Sequence, residues 1–443
     1  MLSEEFFSAV CGPPLTSNTA VAKDVGIYAH TLHPTYSVKN TFKKSATPAN
    51  CLAVSENHVF AAQHEKAYIH VYSRIRGNQE AFIPLPERIR CLTLAGHVLV
   101  MGTAEGRLML WETGTGRLIS TPPCHVQAVS CVVATPYHIL SGSEDANVHV
   151  WSLAPLLQLE SPGEYEPDRS LTNHRAAITS LVASQSTALE SNLCISASRD
   201  KSCIIWNYQT GTALRTVLFP SVPLAILLDP TTRALCVSAE DSSLYLVELL
   251  GERPLLGSHS GEVGTAVAQP PSPFGVAAPE HGPATCLAMS YDGTVLLSGH
   301  PKGRILRWNL ADNSTPDELA NLNAAVTNLA IMSPLPPAQK GVQVQTVVKP
   351  TQAGKEYTLI AQLDADLTQE TAFSSMMNTP GFSNDVLQRA ISSLQQPAGA
   401  PSTTTGDQEL KRQNEELLQI ISEQRALYKD TLSKLAEAKA GRG

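Results

Sequence analysis

The chain has 443 residues, of which 43% are hydrophobic and 16% charged, and it carries a formal net charge of −8. That length suits one large domain with appendages or two to three average domains, and the acidic balance excludes a globally basic nucleic-acid surface while leaving room for local patches. The opening MLSEEFFSAV is acidic where a secretory signal needs a basic start, no apolar run approaches spanning length, and nine cysteines include no CxxC pair, so a reduced intracellular chain is expected.

In chain order, the first element is VGIYAHTL (25–32), which lies one repeat length ahead of a recurring phrase. That phrase, a tight polar turn and then an alternating apolar run, occurs six times. GTAEGRLMLW, SGSEDANVHVW, SASRDKSCIIW and SGHPKGRILRW end on Trp111, Trp151, Trp206 and Trp308, the four tryptophans of the chain. Two weaker copies end on Tyr72 and Val247. Six residues before each end stand Lys66, Glu105, Asp145, Asp200, Asp241 and Lys302. The unit is about forty residues long, and its period-two, β-branched pattern reads as three or four short strands. A short apolar strand precedes each phrase, and Cys51, Cys91, Cys131 and Cys286 share one column of it as small core residues.

A four-stranded unit cannot bury both faces alone, and radial stacking supplies the two neighbours it needs. In that arrangement Asp145, Asp200 and Asp241 brace tight turns by accepting backbone N–H bonds, and the tryptophans fill the space between sheets. His125, His174 and His281 precede the first strands of three units. These phrases resemble WD repeats. AAVTNLAIM (324–332) comes after the sixth unit as a first strand, and VGIYAHTL places His30 in the phrase-end column, so the two chain ends together make a seventh blade; a six-bladed ring with a loose N-terminus is the alternative. The expected fold is all-β, a seven-bladed WD-repeat β-propeller over residues 1–333, closed by the N-terminal strand and followed by a C-terminal coiled-coil helix.

Two insertions, 152–174 and 251–283, are long surface loops on this scaffold and candidates for binding. Residues 334–406 read as a linker with a short amphipathic helix near 384–396, and KEYTLIAQL (355–363) as one more strand. Residues 407–440 lack proline and glycine within a run of helix formers. With Asn414, Ile421, Tyr428 and Leu435 at heptad position a, Leu410, Leu417, Gln424 and Thr431 fall at d; the pattern is imperfect, since Leu418, Ile420, Leu427 and Leu432 widen the stripe. Such a helix alone is marginal in water, so it pairs with a second copy, docks on another subunit, or folds back on the ring.

Catalytic motifs are missing: there is no GxxxxGK loop, HExxH or GxSxG. His58, His64 and His70 are spaced by six, and the three turn aspartates sit on different blades, so no metal site and no acid–base pair is expected. No catalytic, cofactor-binding or metal residues are assigned, and the chain reads as a non-enzyme.

DANVHVWSLAPLL, RTVLFPSVPLAILLDP, the tryptophan-less SSLYLVELL, TCLAMSYDGTVLLSGH and the helical tail together resemble the WD-repeat subunit of the Ipi-type pre-rRNA-processing complex. The resemblance implies a nuclear scaffold, in nucleolus and nucleoplasm, that acts in removal of the second internal transcribed spacer and maturation of pre-60S particles. Implied partners are helical-repeat subunits of the complex and the AAA-type ATPase midasin, with direct RNA contact at most local. Adaptor roles in chromatin, replication licensing or ubiquitin ligation are the alternatives.

Overall fold

The computed structural model describes residues 3–13, 26–158, 165–184, 192–250, 267–270, 272–311, 315–334, 342–344, 346–350, 362–363 and 405–440, together with Leu255 and Gln388. The short helix expected near 384–396 lies outside the described residues except for Gln388, as does most of the strand expected at 355–363. Two compact units result, Met1–Asp364 and Ala365–Gly443.

The first unit holds seven antiparallel sheets of four strands, one with a fifth strand added. Blade 1 runs Leu52–Val54, His58–Ala62, Tyr68–Ser73 and Gln79–Pro84; blade 2 runs Ile89–Ala95, Val98–Thr103, Leu108–Glu112 and Leu118–Ser120. Blade 3 is Val129–Ala134, His138–Ser143, Val148–Ser152 and Arg169–Leu171; blade 4 is Ile178–Ala183, Leu193–Ser198, Ser202–Asn207 and Thr212–Leu218. Blade 5 contains Pro223–Leu228, Ala234–Ala239, Ser243–Glu248 and Gly275–Val276, and blade 6 Cys286–Met289, Val295–Gly299, Arg304–Asn309 and Asp317–Asn321. The seventh blade orders Ala325–Met332, Glu4–Cys11, Gly26–His33 and Ser37–Lys43, so both chain ends contribute to it. Its second strand, EEFFSAVC, is the piece the repeat pattern leaves unassigned, because it carries no turn phrase.

The first strands pack against one another in sequence, blade 1 on blade 2 and onward until blade 7 returns to blade 1. Hydroxyls at one column stitch this inner ring. Ser130 Oγ donates to Ile178 O at 2.7 Å, Thr179 Oγ1 to Pro223 O at 2.7 Å, Thr285 Oγ1 to Val326 O at 2.7 Å and Thr327 Oγ1 to Thr47 O at 2.6 Å. At the closure Asn328 Nδ2 also donates to Pro48 O, and Cys51 N donates to Asn328 Oδ1.

The cysteine column is explained by volume. Cys91, Cys131 and Cys286 face Gly102, Gly142 and Gly299 across the first strand pair, and a Cβ on any of those glycines would come within 2.5–2.8 Å of the opposing sulfur. A larger residue on either strand would overpack the inner wall. Burial pushes the Cys131 and Cys286 thiols up to about 12, so they stay protonated and unreactive.

The insertions build blades as well as loops. The one after blade 3 forms the helix Leu153–Leu156 and returns as the outer strand Arg169–Leu171. The one after blade 5 first reaches back, pairing Val267–Ala268 in parallel with Thr216–Val217 of blade 4, and then supplies the outer strand of its own blade. In the second unit a helix spans Thr405–Ala440.

Candidate interaction site

Each blade must satisfy the polar groups it buries, and blades 3 and 4 do so with one chain of hydrogen bonds. Trp151 Nε1–H donates to Ser141 Oγ at 3.3 Å, Ser141 bonds His125 Nε2 at 3.0 Å, and His125 Nδ1–H donates to Asp145 Oδ2 at 3.1 Å. The directions fix the tautomer, because the indole can only donate and the carboxylate can only accept. Trp206, Ser196, His174 and Asp200 repeat this at 2.8, 2.7 and 3.0 Å. The aspartates also accept Val126 N–H and Arg175 N–H from the preceding loop, and Asn147 N–H and Ser202 N–H from their own turns.

Burial raises the Asp145 and Asp200 carboxyls, yet those donors prevail and hold both below the ordinary aspartate value. Burial lowers His125 to about 4, with His149 stacked on it at 4.1 Å adding to the effect. The histidines are therefore neutral links in the chain rather than acids.

The turn after each acid shows what the brace accomplishes. Ala146, Lys201 and Ser242 hold left-handed φ of 66–69° immediately after Asp145, Asp200 and Asp241, whose Oδ1 accepts the N–H two residues on. Blades 2 and 6 have Glu105 and Lys302 at that column, and there the left-handed residue is glycine, Gly106 or Gly303. Asp241 has the turn bond but no histidine, and its side chain is exposed.

The remaining blades vary this chain in different ways. In blade 7 His30 stands in the tryptophan column and bonds Ser8 at 2.7 Å while stacking on Phe6 at 4.4 Å. In blade 6 Trp308 donates to Ser298, but the ring completing the chain is His300, the residue just after the strand Val295–Gly299, and not His281 of the preceding loop. His281, assigned from the sequence to that place, instead lies near Glu280 on the half-buried loop. Blade 5 pairs Val247 with Leu235 and has Val237 where the serine would be, so neither partner of the bond is present. Blade 2 keeps Trp111 but carries Met101 in the serine column, and the indole N–H donates to Val348 O at 3.0 Å.

These geometries leave three surfaces for partners. A cleft of about 420 Å³ opens beside the turns of blades 1–3, lined by Asn50, His64, Glu65, Arg88, Arg90, Ser130 and Glu144. Arg90 is bonded to Glu144 at 3.1 Å, so the lining is of mixed sign and suits a polar peptide better than a phosphodiester chain. A groove of about 460 Å³ between blades 4 and 5 is apolar and proline-rich, with Leu218, Phe219, Tyr245, Pro270 and Pro273. The helix Thr405–Ala440 is the third surface: Leu417, Leu418, Ile420, Ile421 and Leu427 are 45–66% exposed.

Comparison with known proteins places this geometry. The family of the WD domain, G-beta repeat, matches residues 116–152 and 165–207, which hold the two complete Trp–Ser–His–Asp chains. The pre-rRNA-processing protein IPI3 of Yarrowia lipolytica is 31% identical over 257 residues, covering 57% of this chain and 59% of that protein. The chain carries WD repeats and is similar to Ipi-type pre-rRNA-processing proteins. ROOT INITIATION DEFECTIVE 3 of Arabidopsis thaliana is 29% identical over 60% of each chain, and the human WD repeat-containing protein 18 is 28% identical over 65% of each. The match thus spans about 60% of the length of the first two relatives. A computationally designed protein, Ika8, superposes with a TM-score of 0.50 at 20% identity over 74% of this chain and 91% of that one, a likeness of fold alone.

Within this WD-repeat protein the tail residues Leu410, Asn414, Leu417, Ile421, Tyr428 and Leu435 all fall on the one helix. Asn414, Leu417 and Ile421 are exposed, and the side chains of Leu410, Tyr428 and Leu435 lie outside the described residues. The evenly spaced histidines separate: His58 faces Glu80 at 2.9 Å, His64 is exposed, and His70 bonds Tyr72 OH at 3.0 Å. Among the described residues no three His, Cys, Asp or Glu side chains gather as a metal site, and no helix is long and apolar enough to cross a membrane.

Proposed function

We propose that this chain is a non-catalytic scaffold subunit of a nuclear complex that processes pre-rRNA, acts in removal of the second internal transcribed spacer and matures pre-60S particles. The observation that carries the reading is the pairing of a closed ring with an apolar-faced helix in a chain similar to named pre-rRNA-processing proteins. The buried histidines, serines and aspartates of the repeat are already engaged with one another, so they brace blades instead of serving substrates. Helical-repeat subunits and the AAA-type ATPase midasin are the partners in this reading, and the helix joins two copies. Holding two rings together raises the effective concentration of whatever each ring carries without any new kind of contact.

The test is depletion of the protein in its own cells, with rescue by the full chain, followed by hybridisation to the second internal transcribed spacer. Spacer-containing precursors should accumulate, and a tagged full chain should copurify with large-subunit precursors. Normal precursor levels, with ubiquitin-ligase or replication proteins on the tagged chain, would overturn the proposal.

A further inference from the structure

The start of the segment after the ring, expected to be linker, is partly built into it. Val344 and residues 346–349 cross the face that carries the turns between the first and second and the third and fourth strands of blades 1 and 2. Asn57 Nδ2 donates to Val344 O at 3.3 Å, and Val348 N–H donates to Thr113 O at 2.9 Å. Val348 O accepts from Trp111 Nε1 at 3.0 Å. Val347 is 9% exposed and packs in the core cluster formed by blades 1 and 2.

The receiving surface is shaped for this segment. Trp111 is fully buried, and Met101 has removed its serine partner, so without Val348 O the indole N–H would have no acceptor in the protein. Gly116 has φ +76°, and a Cβ there would lie 2.6 Å from Lys349 O and 2.8 Å from Val348 Cγ1. A left-handed glycine, a vacated serine column and an apolar slot coincide in one place on one blade. An extended peptide read by one accepted N–H, one donated indole N–H and one apolar side chain meets all three conditions.

We propose that this groove is a peptide-docking site and that Val344 and residues 346–349 are its resident ligand, tethering everything C-terminal, the helix included, to blades 1 and 2. The tether acts through non-covalent contacts and does not need the covalent link at 335–340.

A full-length chain in which residues 335–340 are replaced by a site-specific protease sequence tests this. After cleavage the C-terminal piece should co-elute with the ring in size-exclusion chromatography. Val347→Asp, which places a charge in the apolar slot, and Val348→Pro, which removes the N–H, should weaken retention at least tenfold while leaving the ring's melting transition in place. Both changes lie on the ligand and not in a blade. Gly116→Val should act in the same direction from the other side. Release of the wild-type piece on cleavage would overturn the proposal, and so would retention of the Val347→Asp piece, since some other contact would then hold it.

Discussion

In five blades the buried side chains of the repeat occur in matched sets. Tryptophan with serine in blades 3, 4 and 6, histidine with serine in blade 7 and valine with valine in blade 5 are each self-consistent. Removing one member of a satisfied buried pair costs about 1–3 kcal/mol, whereas replacing both by apolar groups can be nearly neutral. Asp145→Ala, which strips partners from His125 and two backbone N–H groups, should therefore cost roughly 2–3 kcal/mol in denaturant unfolding. Asp241→Ala removes one turn bond at an exposed site and should cost about 1 kcal/mol or less. Equal costs would show that the histidine link adds nothing.

Acid acts on the same rings. Burial holds His30, His125 and His300 at about 4, below the roughly 6.5 of an unfolded histidine. Above about pH 6.5 both states are neutral and stability is full. Below it the unfolded chain takes up protons that the fold refuses, so stability falls as pH drops toward 4, by on the order of 3 kcal/mol for each ring. The lowered carboxyls of Asp145 and Asp200 extend the loss further down. The melting temperature should be flat from pH 7 to 8 and fall steeply between 6 and 4.5; a flat profile through pH 5 would contradict this. The Asp and Trp columns are legible in the sequence because six residues separate them in each of the six turn phrases. The exchange of His281 for His300 is not, since spacing cannot show that a ring reaches its serine from the end of the serine's own strand instead of from the preceding loop.

At the scale of elements, the seventh blade hangs on Glu4–Cys11. This strand pairs with Ala325–Met332 on one side and Gly26–His33 on the other, and Phe6 and Phe7 are buried on its two faces. Deleting residues 3–11 removes a central strand and opens two ladders. The full chain so trimmed should lose its cooperative melting transition, while a chain cut after Ala400 should keep it. Both neighbours of this strand are recognisable from their position in the repeat. The strand itself is not, because it lies ahead of any turn phrase and its partner is at the other end of the chain. Val344 and residues 346–349 escape for a related reason: so short a run, with two buried valines, carries no periodicity, and its role shows only in the missing serine opposite Trp111.

For the whole molecule, the ring and the helix answer different physical demands. The ring closes its own sheets on one another, whereas the helix presents Leu417, Leu418, Ile420, Ile421 and Leu427 to solvent. Leu417→Glu with Ile421→Glu should halve the solution mass of the full chain by light scattering with no change in ring melting. An unchanged mass of one chain in both proteins would show that the stripe serves a different subunit. The balance of charges, −8 overall with arginine and glutamate interleaved in the cleft, fits docking to proteins better than to bare RNA.

Ring closure also sets a schedule for synthesis. Thr327 Oγ1 donates to Ala9 O across 318 residues, so the first strand to leave the ribosome waits for nearly the last one of the ring. At about 5–20 residues per second the wait is roughly 15–60 s, during which Phe6, Phe7 and an unpaired strand edge stay uncovered. Until that partner arrives, the strand Glu4–Cys11 has to be kept from pairing elsewhere.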